Sequence, residues 1–284
     1  MLAVRSIIFL QTYFHFVVNE LQRLVLLERQ LDTLSYDAPV FRNSSIFISM
    51  FWYSNPRQYE WIRMLGFHHG RIIRELPPSG AINRVLVAPG CDCASFVTQD
   101  RAQLFRARAG VPFGRVEFVA RTAPAAPEQP RHIMVWLARP GGGRRAVQNP
   151  RETIAWIEQH WRSIFGTELH VITHSEHTNA YESRADMMRA SIVAGPHGSA
   201  FANLVLARAG TMVLEIHPAT YDAHRLVQSC YFQLSANFDL LHRVVIAQSG
   251  EGFAGEMQVD ETNIVAALFD LYAMHLRYSN VAKW

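Results

Sequence analysis

The chain has 284 residues, of which 49% are hydrophobic and 18% are charged. This length and composition exclude a disordered protein and favour two domains of about 120–150 residues over one. The formal net charge is only +3, and no basic block with interleaved aromatic residues is present, so nucleic acid is not an expected partner.

The first half of the chain predicts an α/β domain at residues 1–125. Apolar residues recur at helical spacing from Phe14 to Leu31. A second helix is predicted from Arg57 to Leu65, where Gly66 ends it, and short apolar runs predict strands at 46–51, 71–76 and 84–87. Segment 123–130 contains three prolines in eight residues, which makes it the expected linker.

The second half predicts a doubly wound parallel sheet in a domain at residues 131–250. Strands and helices alternate there, with strands at 133–138, 169–173, 192–194 and 211–216 and helices at 150–165, 181–189 and 200–207. A last helix, 262–276, belongs to a C-terminal segment at 255–284 and has apolar residues on one side. We expect this helix to pack back onto the first half.

Neither a transmembrane segment nor a zinc site is expected. The most apolar N-terminal stretch, Ser6 to Val18, is interrupted by polar residues and is too short for a bilayer core of about 30 Å, so no transmembrane segment is predicted. The three cysteines, at 91, 93 and 230, are too few and too irregularly spaced for a zinc site. Free or buried thiols are the favoured interpretation, and a bridge within Cys91-x-Cys93 is the alternative.

The most informative motif is the segment Ser191 to Asn203, followed by Glu215. It predicts a strand, a tight loop and a helix, and the loop would offer backbone N–H groups and a helix N-terminus to an anion. Gly198 has no side chain and would allow a diphosphate to come close. A carboxylate at the end of the next strand, Glu215, is well placed to accept hydrogen bonds from a ribose. The alternative is an ordinary turn in which His197 caps the helix.

These motifs resemble those of glycosyltransferase family 61. The similar strings are Gly-Pro-His-Gly-Ser-Ala-x-x-Asn from Gly195, Val-Leu-Glu-Ile-x-Pro from Val213, and a strand that ends in Arg139 followed by Arg144, Arg145 and Asn149. Near the start, Tyr13-x-His15 and the following residues to Arg23 look like the Tyr-x-His helix of the family, with Asn19 in place of Asp or Glu and Gln22 in place of Pro. The resemblance covers residues 13 to about 245.

The resemblance implies an α/β protein of the GT-B class, with two Rossmann-like domains facing across a cleft. It implies transfer, with inversion, of a pentose or N-acetylglucosamine from a UDP-sugar to a hydroxyl of a glycan or glycoprotein. The expected donor-nucleotide residues are Arg139, Arg145, His197, Gly198, Ser199, Asn203 and Glu215, with Arg144 as a substitute clamp. The general base is expected at His15, with Glu20 as a lesser candidate.

No metal or other cofactor is expected, because the sequence has no Asp-x-Asp pair and the arginines with a helix N-terminus can offset the charge of the leaving diphosphate. A bacterial protein of this kind would be cytoplasmic, and a truncated eukaryotic form would belong to the Golgi or ER lumen. The alternative function is a non-catalytic relative that binds a nucleotide sugar or a glycan, because Asn19 stands where the family has a carboxylate.

Overall fold

The protein forms two compact units, residues 1–111 with 179–182 and residues 112–178 with 183–284. The computed structural model describes residues 2–4, 17, 18, 21, 22, 24–26, 29, 46–48, 56–67, 72, 73, 98–112, 114–116, 132–139, 144–175, 177–219, 230–249 and 255–281. Of the sequence-based predictions, the strand at 84–87 and the linker at 123–130 lie outside these residues.

The first unit contains a three-stranded parallel sheet in the order β1-β2-β3. Its strands are β1 (Leu2–Val4), β2 (Ile46–Ile48) and β3 (Ile72–Ile73). The strands β2 and β3 lie within the predicted strands 46–51 and 71–76, and the other residues of those two ranges lie outside the described part of the chain. The strand β1 was not predicted.

Helices supply the described core of the first unit. The predicted second helix is present as α1 (Pro56–Met64), and Gly66 follows it with a left-handed φ of 72°. Helix α2 (Gln99–Ala109) was not predicted, because only Leu104 and Phe105 among its residues are large and apolar. The Phe105 ring lies 6.4 Å from the ring of Trp61, and both side chains are fully buried. The described residues of the predicted first helix include Val17, Val18, Leu21 and Leu24, which are also fully buried.

The second unit is built on a six-stranded sheet in the order β5-β4-β6-β7-β8-β9. Its strands are β4 (His132–Leu137), β5 (Leu169–His174), β6 (Ile192–Pro196), β7 (Met212–Pro218), β8 (Leu241–Ser249) and β9 (Met257–Gln258). The first five are parallel, and β9 pairs with β8 in the antiparallel direction. The predicted α/β class and the parallel sheet are confirmed, while β8 and β9 were not predicted.

Five helical segments lie between or after these strands along the chain. They are α3 (Pro150–Phe165), α4 (Ala180–Met187), a 3-10 helix η1 (Ser199–Leu206), α5 (Cys230–Asn237) and α6 (Glu261–Val281). The first residues of α4 belong to the first unit. Helix α3 has the predicted bounds because Pro150 occupies its first turn and Gly166 ends it with a φ of 65°. The predicted helix 200–207 is a 3-10 helix, and α5 was not predicted.

Helix α6 packs on the sheet of the second unit. Its residues Ile264, Leu268 and Leu271 are fully buried in a cluster with Ile157 and Trp161 of α3 and with side chains of β4, β6, β7 and β8. The expectation that the last helix returns to the first half stays a prediction. The apolar stripe shows that a helix has a partner, but it does not identify the partner.

The neighbouring strands β4 and β6 leave no room for a side chain at Gly195. A Cβ atom at this position would lie 2.6 Å from the carbonyl oxygen of Leu137 and 3.2 Å from its backbone nitrogen. Because both atoms belong to a buried backbone, neither can move without shifting a strand. Gly195 therefore allows β4 and β6 to pair where both strands end.

None of the described helices is both long enough and apolar enough to span a membrane.

We expect Gly195→Ala to lower the free energy of unfolding by about 1–3 kcal/mol, because the added methyl group meets backbone atoms. Urea denaturation would measure the loss. The control is Gly114→Ala, where the nearest atom would be 3.8 Å away, at the end of the Arg208 side chain, and where we expect a change within about 0.5 kcal/mol. Equal stability of the two variants would contradict the role given to Gly195.

Candidate functional site

The carboxyl ends of β4, β6 and β7 bring together most of the residues predicted to bind a donor. Arg139 follows β4, while His197 and Gly198 follow β6. Glu215 and His217 lie in the second half of β7. We call residues 195–199 the His-Gly loop. In open parallel sheets, ligands bind at the carboxyl edge where neighbouring connections run in opposite directions, and in this strand order that point lies between β4 and β6.

The guanidinium of Arg139 lies directly over Gly198. A Cβ atom on Gly198 would be 2.8 Å from Arg139 Cζ and 2.9 Å from Arg139 Nε, and its closest contact would be Nη2. The φ of Gly198 is 167°, which any residue can adopt, so the glycine is required by the guanidinium and not by the backbone. Arg139 Nη1 also donates a hydrogen bond to the carbonyl of Arg144 at 2.8 Å. The loop and the arginine therefore form one structural unit.

A second cation, Arg145, stands close to Arg139. Its φ of 62° is uncommon for a residue with a long side chain, and its backbone N–H donates to the carbonyl of Gly255 at 2.9 Å. Burial, and next the repulsion by Arg145, lower the pKa of Arg139 to about 10. Both arginines remain charged at neutral pH, so two cations share a half-buried place beside the His-Gly loop.

Glu215 is enclosed by two histidines. One carboxylate oxygen accepts a hydrogen bond from His197 Nδ1, and the other accepts one from His242 Nε2 at 3.0 Å. His242 Nδ1 in turn lies 2.8 Å from the hydroxyl of Ser235 on α5. All four side chains are at least 98% buried. We call His197, Glu215 and His242 the His-Glu-His network.

The hydrogen bonds of this network outweigh the effect of burial on Glu215. Burial alone would raise the pKa of the carboxyl group, but the hydrogen bonds from His197 and His242 lower it to about 2. Glu215 is therefore an anion at every physiological pH and can only accept hydrogen bonds. Consequently, His197 Nδ1 and His242 Nε2 each carry a proton.

Two further polar side chains surround the network. The ring of His197 makes edge contacts with His217, at 4.7 Å between centroids, and with Tyr231, at 5.1 Å. Burial and then the charge of Glu215 raise the pKa of Tyr231, which keeps its phenol protonated. Burial, and next His197, lower the pKa of His217, and its Nδ1 donates to the carbonyl of Pro218 at 3.0 Å. His217 is thus a neutral imidazole near neutral pH.

The predicted direct contact between Glu215 and a ribose does not fit this geometry. Both oxygens of the carboxylate already accept hydrogen bonds from histidines, and the side chain is 1% exposed. The strand pattern places Glu215 at the correct end of β7, but it does not show which face of the sheet the side chain occupies or what fills that face. The side chain of His197, at 2% exposure, is similarly enclosed.

The structure places the other predicted residues as follows. Ser199 and Asn203 lie on η1, with Ser199 half-buried and Asn203 buried. The first N–H groups of a helix have no acceptor one turn back, and an anion site at the start of η1 stays a prediction. The two candidates for the general base, His15 and Glu20, lie outside the described residues.

Sequence reasoning missed Tyr231, Ser235, His242 and His217. The first three lie on α5 and β8, which the sequence did not predict. Polar residues within an apolar strand are the signal that could have found His242. Cys230, the first residue of α5, is disulfide-bonded, so the interpretation of free thiols is wrong for it. Cys91 and Cys93 lie outside the described residues.

Metal independence stays a prediction. Within the described parts of the chain, no three or more histidine, cysteine, aspartate or glutamate side chains are grouped so that they could hold a metal ion. The arginines, in contrast, offer charge without an ion.

We expect Glu215→Gln to destabilise the fold in a manner that depends on pH. The folded-state pKa of about 2, against an ordinary value of 4.5, corresponds to about 3 kcal/mol of stability from the ionised carboxylate. A lowered pKa gives stability that is complete above the unfolded-state value and is lost as the pH falls towards 2. The stability difference between wild type and Glu215→Gln, measured by urea denaturation, should therefore shrink from pH 5 to pH 3. A constant difference would contradict the ionised network.

Comparison with known families identifies the chain. The family model described as Glycosyltransferase 61 matches residues 13–214, a span that includes Arg139, Arg145 and the His-Gly loop and ends just before Glu215. No individual curated protein sequence gives a significant match. Because the family match covers more than half of the 284 residues, the protein belongs to the glycosyltransferase 61 family and is a glycosyltransferase that acts on a sugar donor and a glycan acceptor.

Proposed function

We propose that the protein transfers a sugar from a UDP-sugar to a hydroxyl of a glycan or glycoprotein, with inversion at the sugar carbon. The donor's diphosphate binds where β4 and β6 end, between Arg139, Arg145 and the His-Gly loop. The observation that carries this proposal is the guanidinium of Arg139 lying over Gly198 at the point where ligands bind in sheets of this order.

The electrostatics of the site support an anionic ligand. Burial, and next the repulsion by Arg145, lower the pKa of Arg139, so an anion between the two arginines stabilises the pair. A guanidinium can donate two parallel hydrogen bonds to phosphate oxygens, and the start of η1 adds backbone N–H groups. A nucleoside diphosphate meets these requirements because its two phosphates can reach both groups.

The same arrangement supports the transfer step. When the sugar leaves UDP, negative charge develops on the outer phosphate, and fixed cations in a partly buried place stabilise that charge without reorganising. Attack by the acceptor hydroxyl from the opposite face inverts the sugar carbon, and a general base takes the hydroxyl proton. His15 and Glu20 stay the proposed groups for that role, on the resemblance alone. The GT-B arrangement and the choice of pentose or N-acetylglucosamine as the sugar are likewise parts of the proposal.

Gly198→Ala tests the diphosphate site. The methyl group would displace the Arg139 guanidinium, and since this is the far end of a flexible side chain, the fold should remain intact. We expect UDP affinity, measured by isothermal titration calorimetry, to fall tenfold or more, or by about 1.4 kcal/mol. Arg139→Ala should have a similar effect, and the double variant should be no worse than Arg139→Ala, because both changes remove the same group. Additive losses would argue against one shared site.

Arg145→Ala tests the charge clamp in the transfer step. We expect the turnover of a UDP-sugar to fall roughly 100-fold, as for loss of one preorganised donor, whereas EDTA should leave the wild-type rate unchanged. The matched control is Arg144→Ala, because Arg144 is exposed and its backbone carbonyl, which Arg139 contacts, is kept.

Three outcomes would change the proposal. Activity lost in EDTA and restored by manganese or magnesium would mean that an ion replaces the arginine clamp. Equal losses in Arg144→Ala and Arg145→Ala would mean that loop charge in general, and not Arg145, is needed. UDP binding without release of UDP from any UDP-sugar would favour the non-catalytic alternative.

A further inference from the structure

The proposed donor site makes no direct use of His242, the last member of the His-Glu-His network, or of Ser235, which contacts His242. His242 lies in β8, and Ser235 lies on α5 beyond the span of the family match. Together they hold the carboxylate of Glu215 from the side opposite His197: Ser235 Oγ is 2.8 Å from His242 Nδ1, and His242 Nε2 is 3.0 Å from Glu215 Oε2. The path from α5 to the His-Gly loop is therefore a continuous series of hydrogen bonds.

His197 connects this series to the donor site. Its ring is held by Glu215, and its backbone N–H donates to the carbonyl of Ile216 at 2.7 Å. Both bonds attach the His-Gly loop to β7. The next residue along the chain is Gly198, over which the Arg139 guanidinium lies. A shift of the His197 ring would therefore move the place that Arg139 occupies.

We propose that His242, supported by Ser235, is a positioning residue for the donor site, which it serves by holding Glu215 and, through it, His197 and the His-Gly loop. Glu215 and His197 then act as positioning residues as well, without contacting the donor themselves. This inference depends on the proposed UDP site, since it concerns the geometry of that site.

The burial of Glu215 explains why a second histidine is needed. A buried carboxylate is strongly unfavourable unless donors compensate for lost water, and removing one partner of a buried charge costs more than the pair contributes. With His197 alone, one oxygen of Glu215 would have no donor. The carboxylate would then take up a proton more readily, and a protonated carboxyl holds His197 less firmly.

The charged and titratable groups that face Glu215 come from each neighbouring element. They are His197 in the His-Gly loop, His217 in β7, His242 in β8 and Tyr231 on α5. Only His197 and His242 donate hydrogen bonds to the carboxylate among the described residues. Removing the donor at position 242 should thus raise the pH at which Glu215 becomes protonated.

The experiment compares His242→Leu with His242→Gln in the full chain, with UDP alone as the ligand in calorimetric titrations from pH 5 to pH 8. Glutamine keeps an N–H donor at the position of the imidazole Nε2, whereas leucine fills the space without a donor. We expect His242→Gln to bind UDP within about threefold of wild type and His242→Leu to bind roughly tenfold more weakly at pH 7.5. The deficit of His242→Leu should grow as the pH falls.

The readout separates positioning from lost stability. Partial unfolding lowers the number of UDP sites per chain, whereas a misplaced loop raises the Kd of folded molecules at an unchanged stoichiometry. The control variant is His132→Leu, which removes another buried histidine paired with a serine, Ser191, at 3.0 Å. His132 lies at the start of β4, the end remote from the His-Gly loop, so we expect lower stability with the UDP Kd unchanged.

If His242→Leu does not fold, Ser235→Ala tests the same inference with a smaller change, because it removes only the hydroxyl that supports His242. We expect a two- to threefold rise in the UDP Kd that grows at lower pH. Wild-type-like Kd values at every pH in the folded variants would overturn the inference while leaving the UDP site in place. If the wild-type chain binds no UDP, the proposed site is wrong, and the inference is wrong with it.

Discussion

A single buried carboxylate constrains the second unit. Glu215 is almost completely buried, yet it remains ionised because two histidines donate to its oxygens. An isolated charge in such a place would cost several kcal/mol, so the fold is stable only when the loop after β6 and the strands β7 and β8 are all in their places. The carboxylate thereby links correct folding to the presence of an ordered loop at the carboxyl edge of the sheet.

Two glycines three residues apart, Gly195 and Gly198, serve different purposes in that loop. At Gly195 the missing side chain gives room to the backbone of β4, so the glycine is needed by the fold. At Gly198 the room is taken by the Arg139 guanidinium, so the glycine is needed by the site. A motif of this type combines a requirement of sheet packing with a requirement of ligand binding. Its occurrence in a sequence is therefore more informative than either glycine alone.

The sequence predicted the elements whose signals are local. Helix α3 begins at Pro150 and ends before Gly166, and the four strands of the alternating series lie where apolar runs indicated them. Prediction from the sequence was less successful where packing between residues distant in the chain decides the structure. Nothing in the periodicity of α6 identifies α3 as its partner, and η1 forms a 3-10 helix although its composition is compatible with an α-helix. The strand β8 was missed because polar residues, including His242, interrupt its apolar pattern.

Only part of the candidate site could be predicted from the sequence, because its contacts also depend on long-range packing. The positions of Arg139 and Gly198 at strand ends follow from the alternation of strands and helices, but the contact between them depends on which strands are neighbours in the sheet. The role of Glu215 depends on still more distant residues. The apolar run places it near the carboxyl end of β7, whereas its burial is decided by α5 and β8, which follow it in the chain.

The enclosure of Glu215 also bears on how an anion site tolerates a carboxylate. Two like charges 4 Å apart at an effective dielectric constant of 20 repel each other by about 4 kcal/mol, so a carboxylate in contact with the donor would oppose the binding of a diphosphate. In the structure the imidazole of His197 lies against one oxygen of Glu215, and the two cations, Arg139 and Arg145, stand beside the loop. Glu215 therefore keeps its charge to hold the loop, while the donors around it and the arginines leave the place over Gly198 favourable for an anion.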